Sequence, residues 1–444
     1  METSVTGVVD KAGRAVASAF VYTMYRSAEV DRNDADLSGR PVIIVANHSA
    51  GFADPVLIMY GANRWPRFLA KATLWNTAAV GKVFDLAGVI PVHRAADGGT
   101  AGNAEAFTDC YEALRNNEVI AIFPEGKIHH ESTIGDIHTG AARIALGARA
   151  SGATDVAIVP VGLYYEGKSG RRGRVYAKVG DPIDIDADID LFVDPGDDED
   201  DTNRDAVVRL TDTIAAALRA VTPDYSSDDA WRVLSAAAEV ALRSHQYDPS
   251  IPVSFGRREE LARELQSASP QARLDVLDTA ARYGDLLEAE NLRDVNIASY
   301  ARAGSALPDH TVRSLGTAMA LSPTAAVGLV FNIVPMGAMR LLSNNLHINA
   351  LMKSTIQTLA SPIIYAGAWA AWGVALRRKG IRFGGTKALL GGAIGGWALV
   401  LASERSDAVR DELGGWVRLG SHGPGVEAQD ARRALIEAVE RATS

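Results

Sequence analysis

Three short stretches constrain this chain more than anything else in it. Pro41 to Ala46 reads PVIIVA, Val119 to Phe123 reads VIAIF and Val156 to Val161 reads VAIVPV. Each is a continuous apolar run, without the alternation of a strand that has one wet face, as expected of strands covered on both faces. Helical stretches lie between them, at Ala104 to Leu114 and Thr139 to Ala150. Arg174 to Val179 (RVYAKV) reads as a further strand before the turn Gly180-Asp181-Pro182. The pattern predicts an α/β domain.

The rest of the chain arranges itself around that domain, which is expected to span residues 31–190. Residues 1–30 read as one amphipathic helix, with Val5, Val8, Val9, Ala12, Ala15, Val16, Ala19 and Phe20 at three-and-four spacing. Such a stripe packs on a domain or lies on a membrane surface. Residues 191–204 hold the acidic run Asp194, Asp197, Asp198, Glu199, Asp200 and Asp201, interrupted by Pro195 and Gly196, and are expected to be a solvated linker. Charged helical sequence follows over 205–312, an apolar region over 313–405 and a helical tail over 406–444.

Within the apolar region, Ser314 to Met339 and Ser354 to Leu376 contain no charged residue. Both reach the roughly 20 residues needed to cross a bilayer. Ala388 to Ser403 is a third uncharged run, shorter than a full span. Pro323, Pro335 and Pro362 interrupt the first two, so bent or re-entrant segments are expected beside true spans. Arg377, Arg378, Lys379, Arg382 and Lys387 separate the second run from the third, which predicts a cytoplasmic loop suited to anionic headgroups. The fold expected is thus an α/β catalytic domain with an N-terminal amphipathic helix and a helical, partly membrane-embedded C-terminal region.

Charge and cysteine usage narrow the function. Lysine plus arginine number 45 against 54 aspartates and glutamates, a net charge of −9, which argues against a general nucleic-acid binder. Cys110 is the only cysteine, so neither an internal disulfide nor a thiolate metal cage can form, as suits a reducing compartment. The first residues carry Glu2, Asp10, Lys11 and Arg14 without an unbroken apolar core, so no cleaved signal peptide is expected.

Two loops carry chemistry. The first predicted strand ends in Asn47-His48-Ser49-Ala50-Gly51-Phe52-Ala53-Asp54. A histidine just past a strand's C-terminal end stands where open α/β sheets place active sites. An aspartate that reaches its ring fixes the tautomer and leaves the other nitrogen free to take a proton from an alcohol. The second predicted strand runs into Phe123-Pro124-Glu125-Gly126-Lys127: a carboxylate for a hydroxyl, a glycine for close approach and a cation. His129 and His130 are adjacent and would diverge on regular structure, so no metal site is expected.

These blocks resemble the glycerol-phosphate and lysophosphatidic acid acyltransferase superfamily, whose signature is Asn-His, a short gap and Asp, followed by Phe-Pro-Glu-Gly. Gly88-Val89-Ile90-Pro91-Val92-His93-Arg94 looks like its second block and Val159-Pro160-Val161-Gly162 like its fourth. The gap from His48 to Asp54 is one residue longer than usual. Together with His129, Glu131 and Thr139 to Arg143, it resembles the branch of fungal-type glycerol-3-phosphate acyltransferases. Lys127 departs from the small residue common there.

The resemblance implies His48 as general base, Asp54 as its orienting partner and Asn47 as a brace of the turn. It assigns acceptor phosphate to Arg94 and Lys71, with Arg143 as a weaker candidate, and acceptor glycerol to Glu125 and Gly126, with Phe123, Pro124 and Lys127 of the same loop also expected to bind substrate. The expected reaction moves a fatty acyl group from acyl-CoA or acyl-carrier protein, with no cofactor, to glycerol-3-phosphate or its 1-acyl form. A lysophospholipid or glycolipid acceptor is the alternative, and a non-catalytic membrane adaptor and a metal-dependent hydrolase are alternatives from other classes. The expected location is a membrane, with the catalytic domain facing the cytoplasm.

Overall fold

The computed structural model describes residues 2–32, 35, 37–62, 64–76, 78–93, 103–128, 133–167, 172–304, 307, 309–346, 350–420 and 422–444. Its contacts divide the chain into two units, 1–231 and 232–444.

The first unit is built on one sheet. Its strands are β1 (Ser27–Asp31), β2 (Val42–Ala46), β3 (Pro66–Lys71), β4 (Ile90–Val92), β5 (Val119–Ile122), β6 (Ala157–Tyr165), β7 (Arg174–Val179) and β8 (Ile183–Asp184). The order is β1-β7-β6-β2-β5-β3-β4, with β8 beside β6. β2 lies at the centre, parallel to β5 on one side and to β6 on the other. All five of its residues are buried, because both faces are covered. β6 and β7 run antiparallel, which their short connection permits.

The helices of this unit are α1 (Glu2–Met24), α2 (Ala53–Gly61), α3 (Ala78–Leu86), α4 (Asn103–Arg115), α5 (Gly140–Ala150), α6 (Ile189–Phe192) and α7 (Arg204–Val221). Ile43 and Val45 face a core completed by Leu114 of α4, Ile144 of α5 and Leu210, Ile214 and Leu218 of α7. Val42, Ile44 and Ala46 face the opposite core, where Leu57 and Ile58 of α2 pack. Ala17 and Val21 of α1 then cover Val56 of α2. The period-2 parity of one strand thus sorts the helices into two layers.

Several expectations change. Residues 27–31 are not helical but form β1, paired in parallel with β7. β3 and the edge strand β4 are additional; β3 mixes charged with apolar residues, so no continuous apolar run announces it. The acidic run does not separate domains. Asp194, Glu199 and Asp201 pair with Arg209, Arg149 and Arg143, and α7 beyond it belongs to the sheet's core. The division between units falls after Trp231 rather than at 190.

The second unit is helical: α8 (Asp228–Ser244, whose first turn lies before the division), α9 (Phe255–Ser267), α10 (Pro270–Ala289), α11 (Asp294–Ala303), α12 (Asp309–Asn345), α13 (Ala350–Arg378), α14 (Gly384–Leu419) and α15 (Val426–Thr443). By length and composition α12 and α14 can each cross a membrane. The short third apolar run is part of the 36-residue α14, and Pro323, Pro335 and Pro362 lie inside continuous helices. α12 and α14 touch backbone to backbone: a Cβ on Gly328 would lie 1.9 Å from the Gly395 oxygen. Asn332, buried between them, donates to the carbonyls of Gly328 and Gly392 and accepts from the Trp369 indole of α13. Close packing of this kind holds helices together where an apolar drive is absent.

Candidate active site

Parallel pairing of β2 with β5 brings the two motif loops together. Val45 is registered with Ile122, so the chain leaving β2 at Asn47 and the chain leaving β5 at Phe123 emerge side by side. The helices that follow them go to opposite faces, α2 to one core and α5 to the other. Such a divergence opens a crevice at the C-terminal edge of the sheet, the usual place for a ligand.

His48 stands in that crevice. Its Nδ1 lies 2.8 Å from Asp54 Oδ2 and its ring stacks on Phe123 at 4.1 Å. The Asp54 side chain is fully buried at the start of α2, and its carboxylate gathers donors. Oδ2 also accepts the backbone N–H groups of Ser49 (3.0 Å) and Ala50 (2.9 Å), and Oδ1 accepts the Tyr165 hydroxyl (2.6 Å). The carboxylate is an acceptor, so the imidazole donates through Nδ1 and its Nε2 is left to receive a proton. The longer gap between histidine and aspartate is absorbed by a turn through Gly51, which has a positive φ of 64°.

The neighbouring residues hold this loop in place. Asn47 donates to the Leu163 carbonyl (3.1 Å) and accepts the Leu163 N–H (2.7 Å), tying the end of β2 to β6. Glu125 is 1% exposed; one oxygen accepts the His48 N–H and the other the Gly135 N–H, both at 2.8 Å. A buried carboxylate with both oxygens on backbone donors shapes the loop that carries the base. Gly126 has φ +65°, and a Cβ there would approach the His138 ring to 2.9 Å. Pro124 is buried, Phe123 half-buried and Lys127 exposed.

The cationic candidates separate. Lys71 ends β3 opposite Val92, the last residue of β4, so it stands at the same C-terminal edge as the dyad. Arg94 lies outside the described residues, as do His129 and His130. The chain just before Arg94 is pinned by Asn103, whose side chain both accepts from and donates to the His93 backbone at 2.8 Å. Arg143 does not present a free guanidinium. It bonds Asp201 at 2.9 Å and lies over the Phe107 ring. Among the described residues no cluster of histidine, cysteine and carboxylates could hold a metal ion.

Sequence reasoning missed Tyr165 and Gly135. Tyr165 had a signal: Val159, Val161, Leu163 and Tyr165 share one face of β6, and a tyrosine closing an aliphatic row needs a partner for its hydroxyl. Gly135 contributes only a backbone N–H, which no side-chain pattern reveals.

Comparison with known proteins follows the same residues. The acyltransferase family model matches residues 26–164. Two curated relatives come from Saccharomyces cerevisiae. Glycerol-3-phosphate O-acyltransferase 1 is 28% identical over 260 residues, 57% of this chain and 33% of the relative. Glycerol-3-phosphate O-acyltransferase 2 is 33% identical over 136 residues, 30% of this chain and 18% of the relative. The chain thus spans a third or less of the curated relatives it matches. A solved structure, the 1-acyl-sn-glycerophosphate (LPA) acyltransferase PlsC from Thermotoga maritima, aligns over 50% of this chain and 83% of its own, with 19% identity and a TM-score of 0.35. Residues 26–164, from just before β1 to the penultimate residue of β6, are thus the part of the chain that matches the acyltransferase family.

Proposed function

We propose that this chain is an O-acyltransferase that moves a fatty acyl group from an acyl thioester to the hydroxyl of glycerol-3-phosphate or 1-acyl-glycerol-3-phosphate. The observation that carries the reading is the His48–Asp54 dyad, 2.8 Å apart in the crevice between β2 and β5, within a family-matched domain. His48 Nε2 takes the acceptor's hydroxyl proton as the oxygen forms its bond to the thioester carbonyl carbon. The tetrahedral intermediate collapses, the carbon–sulfur bond breaks, and the imidazolium returns the proton to the leaving sulfur. No acyl-enzyme is required, because the thioester is already activated.

Lys71, with Arg94 after β4 and Lys127 beside Glu125, supplies cations for the acceptor's phosphate. The helices α12 and α14 suit a protein that works on a bilayer, where its acyl product partitions. The basic turn Arg377 to Arg382 suits the cytoplasmic side, where acyl-CoA and acyl-carrier protein are found. Membranes containing the protein, offered an acyl thioester with glycerol-3-phosphate, its 1-acyl form and lysophosphatidylcholine side by side, test the acceptor class. The phosphate monoesters are expected to be acylated at least about tenfold faster than the choline ester. Exclusive use of lysophosphatidylcholine would overturn the assignment.

A further inference from the structure

Asp54 is the point on which the site converges, and one of its donors comes from far along the chain. Oδ2 is shared among His48, Ser49 and Ala50, whereas Oδ1 receives the Tyr165 hydroxyl, from 111 residues away on β6, at 2.6 Å. That length suits a bond from a hydroxyl to an ionised acceptor, typically about 2.5–2.7 Å. Tyr165 is 3% exposed. Burial first, and then the charge of Asp54, push its hydroxyl well above the ordinary phenol range, so the proton stays on oxygen and the direction of donation is fixed. Tyr25, in the turn between α1 and β1, packs against its ring at 6.1 Å and is pushed upward by the same two causes in the same order. Among the described residues, three titratable groups interact with the dyad directly or through their charge: Tyr25, Tyr165 and, from the loop after β5, Glu125.

We propose that Tyr165 is a positioning residue of the dyad: its hydroxyl holds Asp54 Oδ1, sets the carboxylate plane that presents Oδ2 to His48, and draws off part of the negative charge that would otherwise hold the imidazolium. The kinetic consequence rests on the acyl-transfer reading above. His48 must accept a proton from the acceptor hydroxyl and then release it to the leaving sulfur. A carboxylate with one donor fewer keeps more charge for the protonated ring. The ring then surrenders its proton less readily, and turnover slows while acceptor binding does not change.

The test uses full-length protein in detergent or membranes, as wild type, Tyr165→Phe, Tyr164→Phe and His48→Ala. Tyr164 is the control: it loses a buried hydroxyl on the other face of β6, one bonded to the Val221 carbonyl at 2.7 Å. The first readout needs no activity. Carbethoxylation of His48 by diethyl pyrocarbonate is followed by peptide mass spectrometry as a function of pH. In Tyr165→Phe its midpoint is expected to rise by about half a pH unit or more, with no change in Tyr164→Phe. In the acyl-transfer assay Tyr165→Phe should lose about tenfold in kcat with KM for the acceptor within about twofold. Coincident midpoints for wild type and Tyr165→Phe overturn the proposal, whatever happens to stability. If Tyr165→Phe does not fold, difluorotyrosine at position 165 keeps the ring and strengthens the donor. The midpoint must then fall, and an unmoved midpoint is equally fatal. A wild type inactive with every acceptor sinks the acyl-transfer reading alone, because the modification midpoints still decide the role of Tyr165.

Discussion

At the scale of single residues, the site spends most of its hydrogen bonds on holding one imidazole still. Asn47 clamps its strand, Asp54 its ring and Glu125 its backbone N–H. The last of these separates two roles that a sequence cannot tell apart. If Glu125 touches the acceptor, its loss raises KM. If it braces the loop, kcat falls and KM stays. Glu125→Gln leaves one carbonyl acceptor for two N–H donors and turns an amide N–H₂ toward one of them. Losing one charge-assisted bond costs about 1.5–3 kcal/mol. The expected result is a kcat lower by at least about tenfold with KM for glycerol-3-phosphate within about twofold. A large rise in KM at unchanged kcat would return Glu125 to the acceptor site. His48, Asp54 and the strand-end position of both loops were legible in the sequence because strand, motif and spacing all act locally. The partners of Glu125 and the Tyr165 donor were not, since they arise from pairing of distant strands.

At the scale of elements, the sheet fixes what the helices must be. The fourth sequence block ends in Gly162 for a reason that lies in α7. A Cβ at that position would fall 1.8 Å from the Val221 carbonyl oxygen, and the hydroxyl of Tyr164 bonds the same oxygen at 2.7 Å. The end of α7 therefore rests directly on β6. Gly162→Ala should force the helix away from the strand and destabilise the first unit by about 1–3 kcal/mol, the usual cost of overpacking a core. Cys110 reports on it, because it is fully buried and burial pushes its thiol up to about 12. Iodoacetamide should leave wild-type Cys110 untouched under conditions where the Gly162→Ala protein is labelled; equal protection in both would contradict the contact. The two cores of the sheet were readable from the three apolar runs. β1, β3 and β4 escaped notice because short strands of mixed composition carry little apolar signal, and α7 was placed in a separate helical region because an acidic run reads as a solvated linker, whereas arginines on α5 and α7 tie that run to the fold.

At the scale of the whole molecule, two kinds of surface meet in one chain. The first unit carries the crevice and its ionisable groups. The second exposes long apolar faces on α12 and α14, including Val330, Ile333, Val334, Ile394 and Trp397. Large exposed apolar areas on helices of this length suit contact with lipid, as the proposed function requires. The protein is expected to stay with the membrane pellet after washing at alkaline pH and to leave it only in detergent. Release by the alkaline wash would argue against spanning helices and leave only surface attachment. The uncharged runs announced α12, α13 and α14, but their true lengths and the passage of α12 and α13 through three prolines depended on packing that composition does not record.

The central claim is that His48, held by Asp54, is the base of an acyl transfer. It is tested most directly by measuring thioester-dependent acylation of glycerol-3-phosphate and its 1-acyl form with wild type and His48→Ala at matched levels of folded protein. The predicted result is an active wild type and a His48→Ala variant slower by about a hundredfold or more, the usual worth of a general base, with the faster acceptor identifying the substrate. A His48→Ala protein that turns over as fast as wild type would contradict the account.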